Sequence, residues 1–157
     1  MNISKKRLFG FDFISAPSVS DIAATIVAET MQSGQAEILI TPNAYQTVVL
    51  LDKKNADFQQ FYAGSKYVLP DGMPLVWLSK LKGNALQSRL TGSDLFPEIW
   101  KEIKAQNIPV TLILPSDALA ERFKSEYGLC PCIVTKFFSA DDSEYLKQLA
   151  GWTVDSI

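Results

Sequence analysis

KYVLPDGMPLVW, residues 66–77, is the stretch whose reading sets the fold. Residues 66–70 form a short apolar run, as a strand buried on both faces does. Pro70-Asp71-Gly72 ends the run with turn residues. Pro74 then stands where the first turn of a helix tolerates a missing N–H. Leu75, Leu78 and Leu81 follow it, and Gly83 occupies the place of a C-terminal cap. A strand that turns at once into a helix is half of a βαβ unit. The same twelve residues pose a chemical question. Asp71-Gly72 is either a turn and nothing more, or a carboxylate held at the mouth of a site; taken alone, the turn is the commoner use.

Working outward, the same alternation recurs. Upstream, EILIT (37–41) is a second short apolar run, broken by Pro42, and NAYQTVVLLDKK (43–54) continues as a helix with Tyr45, Val48 and Leu51 inward. Asp57 to Tyr62 makes another helical turn or two, closed by Gly64. RLFGFDFI (7–14) alternates as one strand, and Ser18 to Asp21 open a helix in which Ile22, Ile26 and Met31 keep helical spacing up to Gly34. Downstream, residues 91–107 predict a helix capped by Ser93, with Leu95, Ile99 and Ile103 on one face. IPVTLILP (108–115) is a strand, and 116–128 a helix with Leu119 and Phe123 inward and Gly128 as its stop. CIVTKFF (132–138) is a further strand, and residues 142–152 begin one more helix. Alternating strands and helices predict an α/β fold, a Rossmann-like, mainly parallel sheet with helices on both faces. The expected organisation is one domain over residues 1–157, its sheet truncated at the C-terminus because no strand follows the last helix.

Bulk properties narrow the chemistry. The chain has 157 residues, 47% hydrophobic and 20% charged, enough for one real core. A formal charge of −2 gives nucleic acid no electrostatic footing, and Lys5-Lys6-Arg7 reads as a solvated start. No apolar run reaches the ~18 residues of a membrane span, and Gly10 and Asp12 interrupt any signal-peptide core, so the expected location is cytoplasmic. Histidine is absent, and the only cysteines are Cys130 and Cys132. Ser-His-Asp and Cys-His catalysis are therefore excluded, and two thiols cannot complete a zinc site within one chain. Proton transfer is left to Asp, Glu, Lys, Tyr or Cys.

Ligands of open parallel sheets bind at the carboxyl ends of the strands. Three loops bring polar residues there: Thr41-Pro42-Asn43, Pro70-Asp71-Gly72, and Arg89-Leu90-Thr91-Gly92-Ser93-Asp94. Each has a bland use, as a cap, a turn or a surface cation. Together they place a helix N-terminus with Gly92 and small hydroxyls, a ready anion site, beside a guanidinium whose forked donors suit a diphosphate. Asp71 adds a carboxylate, a natural general base in a chain without histidine. Neither the G-x-G-x-x-G nor the G-x-x-x-x-G-K-[ST] fingerprint occurs. The combination points to transfer from a nucleotide-activated donor and away from a standard NAD enzyme or NTPase.

TPNAYQTVVL, then DFQQFYAGSKYVLPDGMPLVW, then RLTGSDLFPEIW resemble the WecG/TagA/CpsF glycosyltransferase family, whose pattern runs T-x-N, P-D-G-M-x-x-V-W, R-x-T-G-x-D-L in that order. The resemblance extends more weakly from about Leu8 to about Phe138. It implies an inverting transfer of an N-acetylmannosamine-type sugar or related hexose from a UDP-sugar to an undecaprenyl-diphosphate-linked acceptor, in the synthesis of teichoic acid or other cell-surface polysaccharide. It further implies Asp71 as the base, with Thr41 and Asn43 lining the catalytic pocket. Arg89 stabilises the leaving diphosphate, and Gly72, Thr91, Gly92 and Asp94 fall in the same motifs as substrate-binding positions. No cofactor is implied beyond the donor, and no Asp-x-Asp motif calls for a metal. The expected setting is the inner face of the plasma membrane, with peripheral membrane contact; self-association is expected from an unpaired sheet edge.

The sequence departs from the family pattern in places. Pro74 stands for a common Gly, PSDALA (115–120) replaces a Gly-rich loop, and the Gly-Tyr-Phe pattern after residues 132–138 is lacking. The chain also ends before the family's LG-x-P-x-QE segment. A second reading therefore stands beside the first: a catalytically inactive, truncated member that binds a nucleotide or a partner.

Overall fold

A computed structural model describes residues 3–34, 37–108, 110–114, 116–127 and 132–135. Two compact units divide at Gln106. In the first, β1 (Lys5–Leu8) and β2 (Phe11–Ile14) are followed by α1 (Ser20–Ser33), β3 (Leu39–Ile40) and α2 (Ala44–Leu51). A 3-10 turn at Lys53–Asn55 leads to α3 (Ala56–Ala63), β4 (Tyr67–Val68), α4 (Met73–Leu81) and α5 (Gly92–Gln106). The strands lie in the order β1-β2-β4-β3. β4 runs parallel to both its neighbours, and β1 is an antiparallel edge.

That edge corrects one expectation. Residues 7–14 are a hairpin, not one strand, with Leu8 paired to Phe11. Phe9 (φ 52) and Gly10 (φ 84) both take positive φ, as the tightest hairpin turns demand because their twist matches that of the strands. The apolar alternation runs through both arms, so it carries no sign of the reversal.

The period-2 alternation of the strands sorts the core into two layers. Ile14, Tyr67 and Leu69 pack on one face with Ile22, Ala23 and Ile26 of α1 and Leu95 of α5. Phe11, Phe13 and Val68 pack on the other with Leu50 of α2 and Leu75 of α4. The unit is thus a mainly parallel sheet with helices on both faces, the expected α/β architecture.

Helix orientation is where the sequence misleads. Tyr45, Val48 and Leu51 of α2 face solvent, and Thr47 and Leu50 are the buried pair. Residues 44–51 contain no charge, so periodicity could not choose a face. Thr47 can go inward because its hydroxyl donates to the Asn43 carbonyl at 2.8 Å. In α4, Leu75, Val76 and Ser79 are buried while Leu78 and Leu81 are exposed. Ser79 donates to the Val76 carbonyl (2.6 Å) and accepts from the Leu86 amide (2.9 Å), so its hydroxyl is fully satisfied inside. In α1, Ile22 and Ile26 are buried but Met31 is exposed.

The second unit holds β5 (Thr111–Leu114), α6 (Asp117–Tyr127) and β6 (Cys132–Thr135). β5 and β6 pair in parallel from Thr111↔Cys132 to Leu114↔Thr135. Ser116 caps α6, its hydroxyl accepting from the Leu119 amide at 3.3 Å. Ala120 is the buried residue of this helix, Phe123 is half-buried, and Leu119 is exposed against expectation. The stop at Gly128, the strand's continuation over 136–138 and the helix over 142–152 lie outside the described residues.

Candidate active site

Three loops meet at the carboxyl edge of the first unit's sheet, and backbone hydrogen bonds join them. The Leu69 amide donates to the Ile40 carbonyl (2.9 Å), the Asp71 amide to Pro42 (3.1 Å), and the Leu90 amide to Pro70 (3.0 Å). The pairing of β3 with β4 thus continues past the last strand residues, and Leu90 adds itself to the same row. Pro42 and Pro70 suit this row because each supplies a carbonyl and lacks the donor it would otherwise have to satisfy. Both are buried.

Asp71 sits half-buried at the end of β4. Among the described residues its carboxylate has neither a hydrogen-bond nor an ion-pair partner. Gly72 follows with φ 132 and ψ 141 and stands at the N-cap of α4, in a region of backbone space almost closed to residues with a Cβ. Pro74 then falls in the first turn of α4, as the sequence predicts. Asp71-Gly72 is therefore a turn, and it leaves the carboxylate unengaged among the described residues.

Thr41 is half-buried beside the N-terminus of α5. A Cβ placed on Gly92 would lie 3.3 Å from Thr41 Oγ1 and 3.4 Å from its Cγ2, so only a glycine lets these two loops close up without displacement. Asn43 caps α2 through a full capping box. Its Oδ1 accepts from the Gln46 amide (2.9 Å), and its own amide donates to Gln46 Oε1 (2.9 Å). The cap uses the carboxamide oxygen and leaves the NH₂ for other partners.

At α5 the capping residue is Thr91, not Ser93. Buried Thr91 accepts the Asp94 amide on Oγ1 (3.1 Å), and its carbonyl accepts the Leu95 amide (3.0 Å). Ser93 instead lies one residue inside the helix, its hydroxyl 3.0 Å from that of Thr91. Threonine is among the residues favoured at a cap position, and Gly92 becomes the first helical residue. The amides of Gly92 and Ser93 have no acceptor within the helix, and the positive end of a 15-residue dipole lies with them. Arg89 stands just before this end, Nη2 3.5 Å from Asp94 Oδ2, with both side chains about half exposed. Asp94 therefore touches Arg89 and compensates the helix end.

The loop carrying Arg89 is tied down by residues that sequence reading missed. Gln87 donates from its amide to Ser15 Oγ (3.2 Å) and from Nε2 to the Ser15 carbonyl (3.3 Å), and Ser88 donates to the Ala16 carbonyl (2.7 Å). These bonds clamp residues 87–88 across the end of β2. They span 72 positions of sequence, and no local pattern announces such partners. The structure thus brings Thr41, Asp71, Gly72, Thr91 and Gly92 to one edge, with Arg89 and Asp94 on the adjoining helix end and Asn43 at the neighbouring cap. Chemically, the edge offers an unpaired carboxylate, hydroxyl and carboxamide donors, and a cationic helix terminus.

The model of the glycosyl transferase WecG/TagA/CpsF family matches residues 6–152. The chain belongs to that family. Among curated relatives it is similar to an N-acetylglucosaminyldiphosphoundecaprenol N-acetyl-beta-D-mannosaminyltransferase of Bacillus subtilis, 41% identical over 46 residues, 29% of this chain and 18% of the relative. A protein of the same name from Bacillus spizizenii is 39% identical over 46 residues, with the same shares. The matched stretch is thus under a fifth of either relative's length. No helix among the described residues is long and apolar enough to cross a membrane.

Proposed function

We propose that the chain is, or forms part of, an inverting glycosyltransferase that moves an N-acetylmannosamine-type sugar from a UDP-sugar to an undecaprenyl-diphosphate-linked acceptor. The observation that carries this reading is the Asp71 carboxylate, unpaired among the described residues and presented by the Gly72 turn in the row that also holds Thr41 and the start of α5. Family membership and the printed names of the relatives support the substrate classes.

In this reading the acceptor hydroxyl attacks the anomeric carbon as its proton passes to Asp71. The bond from that carbon to the UDP oxygen breaks, and UDP leaves with the electron pair. A positioned carboxylate contributes about 10²- to 10⁴-fold to such a step. Arg89 and the Gly92 and Ser93 amides meet the charge that grows on the diphosphate, while Thr41, Asn43 and Thr91 orient the sugars. Because a guanidinium and a helix end already face the leaving group, the reaction needs no metal, and transfer should persist in chelator.

The competing reading, a silent module that binds a nucleotide or a partner, draws on the Arg89–Asp94 contact. That contact sets a carboxylate at the helix end where a diphosphate would bind. Incubating the chain with UDP-N-acetylmannosamine and an N-acetylglucosaminyl-diphosphate lipid separates the two. Disaccharide formation supports the transferase. Saturable UDP binding in calorimetry without product, with NAD as the control ligand, would favour the silent module.

A further inference from the structure

A cavity of about 190 Å³ lies between the end of β2 and the first turns of α1. It is smaller than the roughly 300–1,000 Å³ of sites that enclose a whole drug-sized ligand, so it suits one ring of a larger substrate. Its polar groups are held in place yet not fully used. Ser15 is 2% exposed. Its hydroxyl accepts the Gln87 amide, and among the described residues the hydroxyl hydrogen has no acceptor. A buried donor left in this way calls for a partner that the fold does not supply. The half-buried Thr25 hydroxyl, on α1, also has no partner among the described residues, whereas that of Thr47 turns back onto its own helix. Gln87 donates from Nε2 to the Ser15 carbonyl, which leaves its carboxamide oxygen to accept. Asp21 accepts the Ser18 hydroxyl on Oδ2 and keeps Oδ1. Ile3, Pro17 and Ile22 supply apolar surface between these groups.

Among the described residues that line the cavity, Asp21 is the only charged one. A phosphate is therefore repelled there and a neutral ligand admitted. Donor hydroxyls, acceptor oxygens and an apolar wall together fit a polyhydroxylated ring. Its hydroxyls donate to Asp21 Oδ1 and Gln87 Oε1 and accept from Ser15 and Thr25, while its C–H face lies on Ile22. The loop of Arg89 joins this cavity to the site. Gln87 lines the cavity, and Leu90 of the same loop bonds to Pro70, next to Asp71. β2 and β3 flank β4 on opposite sides. The cavity stands at the end of β2, whereas the start of α5 lies against Thr41, just past β3. Inverting transfer needs nucleophile and leaving group on opposite faces of the donor sugar. With the diphosphate at α5, the cavity is on the acceptor's side.

We infer that the cavity between β2 and α1 is a subsite for a neutral pyranose, the sugar ring of the acceptor, held by Ser15, Asp21, Thr25 and Gln87. The assignment to the acceptor rests on the transferase reading; the binding test does not. Methyl N-acetyl-α-glucosaminide, a sugar with neither diphosphate nor lipid, is titrated to tens of millimolar into the isotope-labelled full chain and followed by NMR. Saturable shifts should gather at the amides of Ser15, Thr25 and Gln87. Asp21→Asn should weaken binding about tenfold and Thr25→Val about threefold, with circular dichroism unchanged and UDP affinity kept. In transfer assays both variants should raise the acceptor KM and leave that of the UDP-sugar alone. Shifts that are absent or gather elsewhere overturn the subsite, as does wild-type affinity in both variants. Displacement of the probe by UDP-N-acetylmannosamine also overturns it, because the ring held there is then the donor's. Sugar binding at the cavity in a chain that transfers nothing leaves the subsite and removes the transferase. Transfer whose acceptor KM neither variant moves leaves the transferase and removes the subsite.

Discussion

The two ends of β4 treat their charges in opposite ways. At the amino end, Lys66 meets Glu37 at 3.1 Å and Glu29 at 3.7 Å, and the Tyr67 hydroxyl donates to Glu29 at 2.9 Å. The Lys5 ammonium donates to the Lys66 carbonyl at 2.7 Å. Each of these groups has an answering partner, and the network fixes the start of the strand. Three residues past the strand's other end, Asp71 has none among the described residues. Folding gains nothing from a half-buried carboxylate without a partner, whereas a reaction that must accept a proton requires one. The comparison separates charges that hold the sheet from charges that the sheet holds up for use.

The sharpest way to break this comparison is Asp71→Asn. The change keeps the shape and removes only the basicity, so transfer should fall by about 10²- to 10⁴-fold while the denaturation midpoint stays within error. Steady-state assays paired with urea unfolding check both halves. Full activity in the variant would remove Asp71 from the role of base. Arg89→Ala comes next. Loss of a charge-assisted contact to a diphosphate is worth about 1.5–3 kcal/mol, roughly ten- to a hundredfold in UDP affinity by calorimetry. Because Arg89 is half exposed and, among the described residues, paired only with Asp94, little stability should go with it. A variant that loses stability yet keeps full UDP affinity would mean that Arg89 supports the fold and does not hold the diphosphate.

Much of this division is legible in the sequence, and where it is not the reason is physical. The strand–turn–helix reading of residues 66–77 holds because Pro70, Gly72 and Pro74 act through their own backbone limits, independent of tertiary context. The hairpin at Phe9-Gly10 was hidden because a reversal inside an unbroken alternation changes no residue type. The inward face of α2 differs from the expectation because periodicity presumes that apolar means buried. Thr47 goes inside there with its hydroxyl satisfied and Tyr45 stays outside, and in α4 Ser79 is likewise buried while Leu81 is exposed. At the site, candidate residues could be named from the loops that follow the apolar runs and from the family resemblance, but the clamp of Gln87 and Ser88 on Ser15 and Ala16 could not. It depends on contacts between distant parts of the chain.

Gly72→Ala tests whether the turn exists to present Asp71. The added methyl would find Pro74 Cδ at 3.6 Å, an ordinary contact, so crowding is not the difficulty. The backbone at φ 132 is. Holding a Cβ-bearing residue there costs on the order of 1–3 kcal/mol, seen as a lowered unfolding midpoint. A variant that relieves the strain by shifting the turn should re-aim the carboxylate, so kcat should drop more than UDP affinity. Equal loss of both would mean that the turn serves the fold alone.

The smallest effect belongs to the amino end. Tyr67→Phe removes one hydrogen bond to Glu29, worth about 0.5–1.5 kcal/mol at neutral pH, and should leave transfer and UDP binding untouched. Its clearer signature is alkaline. Burial raises the Tyr67 hydroxyl above its ordinary 10.0, and the hydrogen bond to Glu37 raises Lys66 above 10.5. For both groups the folded state holds the proton more tightly than the unfolded chain does. The stability they contribute is therefore complete below about pH 10 and is lost as pH climbs through the raised values. Urea unfolding followed from pH 8 to beyond pH 10.5 should show that decline, and in Tyr67→Phe the decline should be shallower because only the Lys66 share remains. An identical slope in the two proteins would mean that the Tyr67 hydroxyl ionises as freely in the folded state as in the unfolded one.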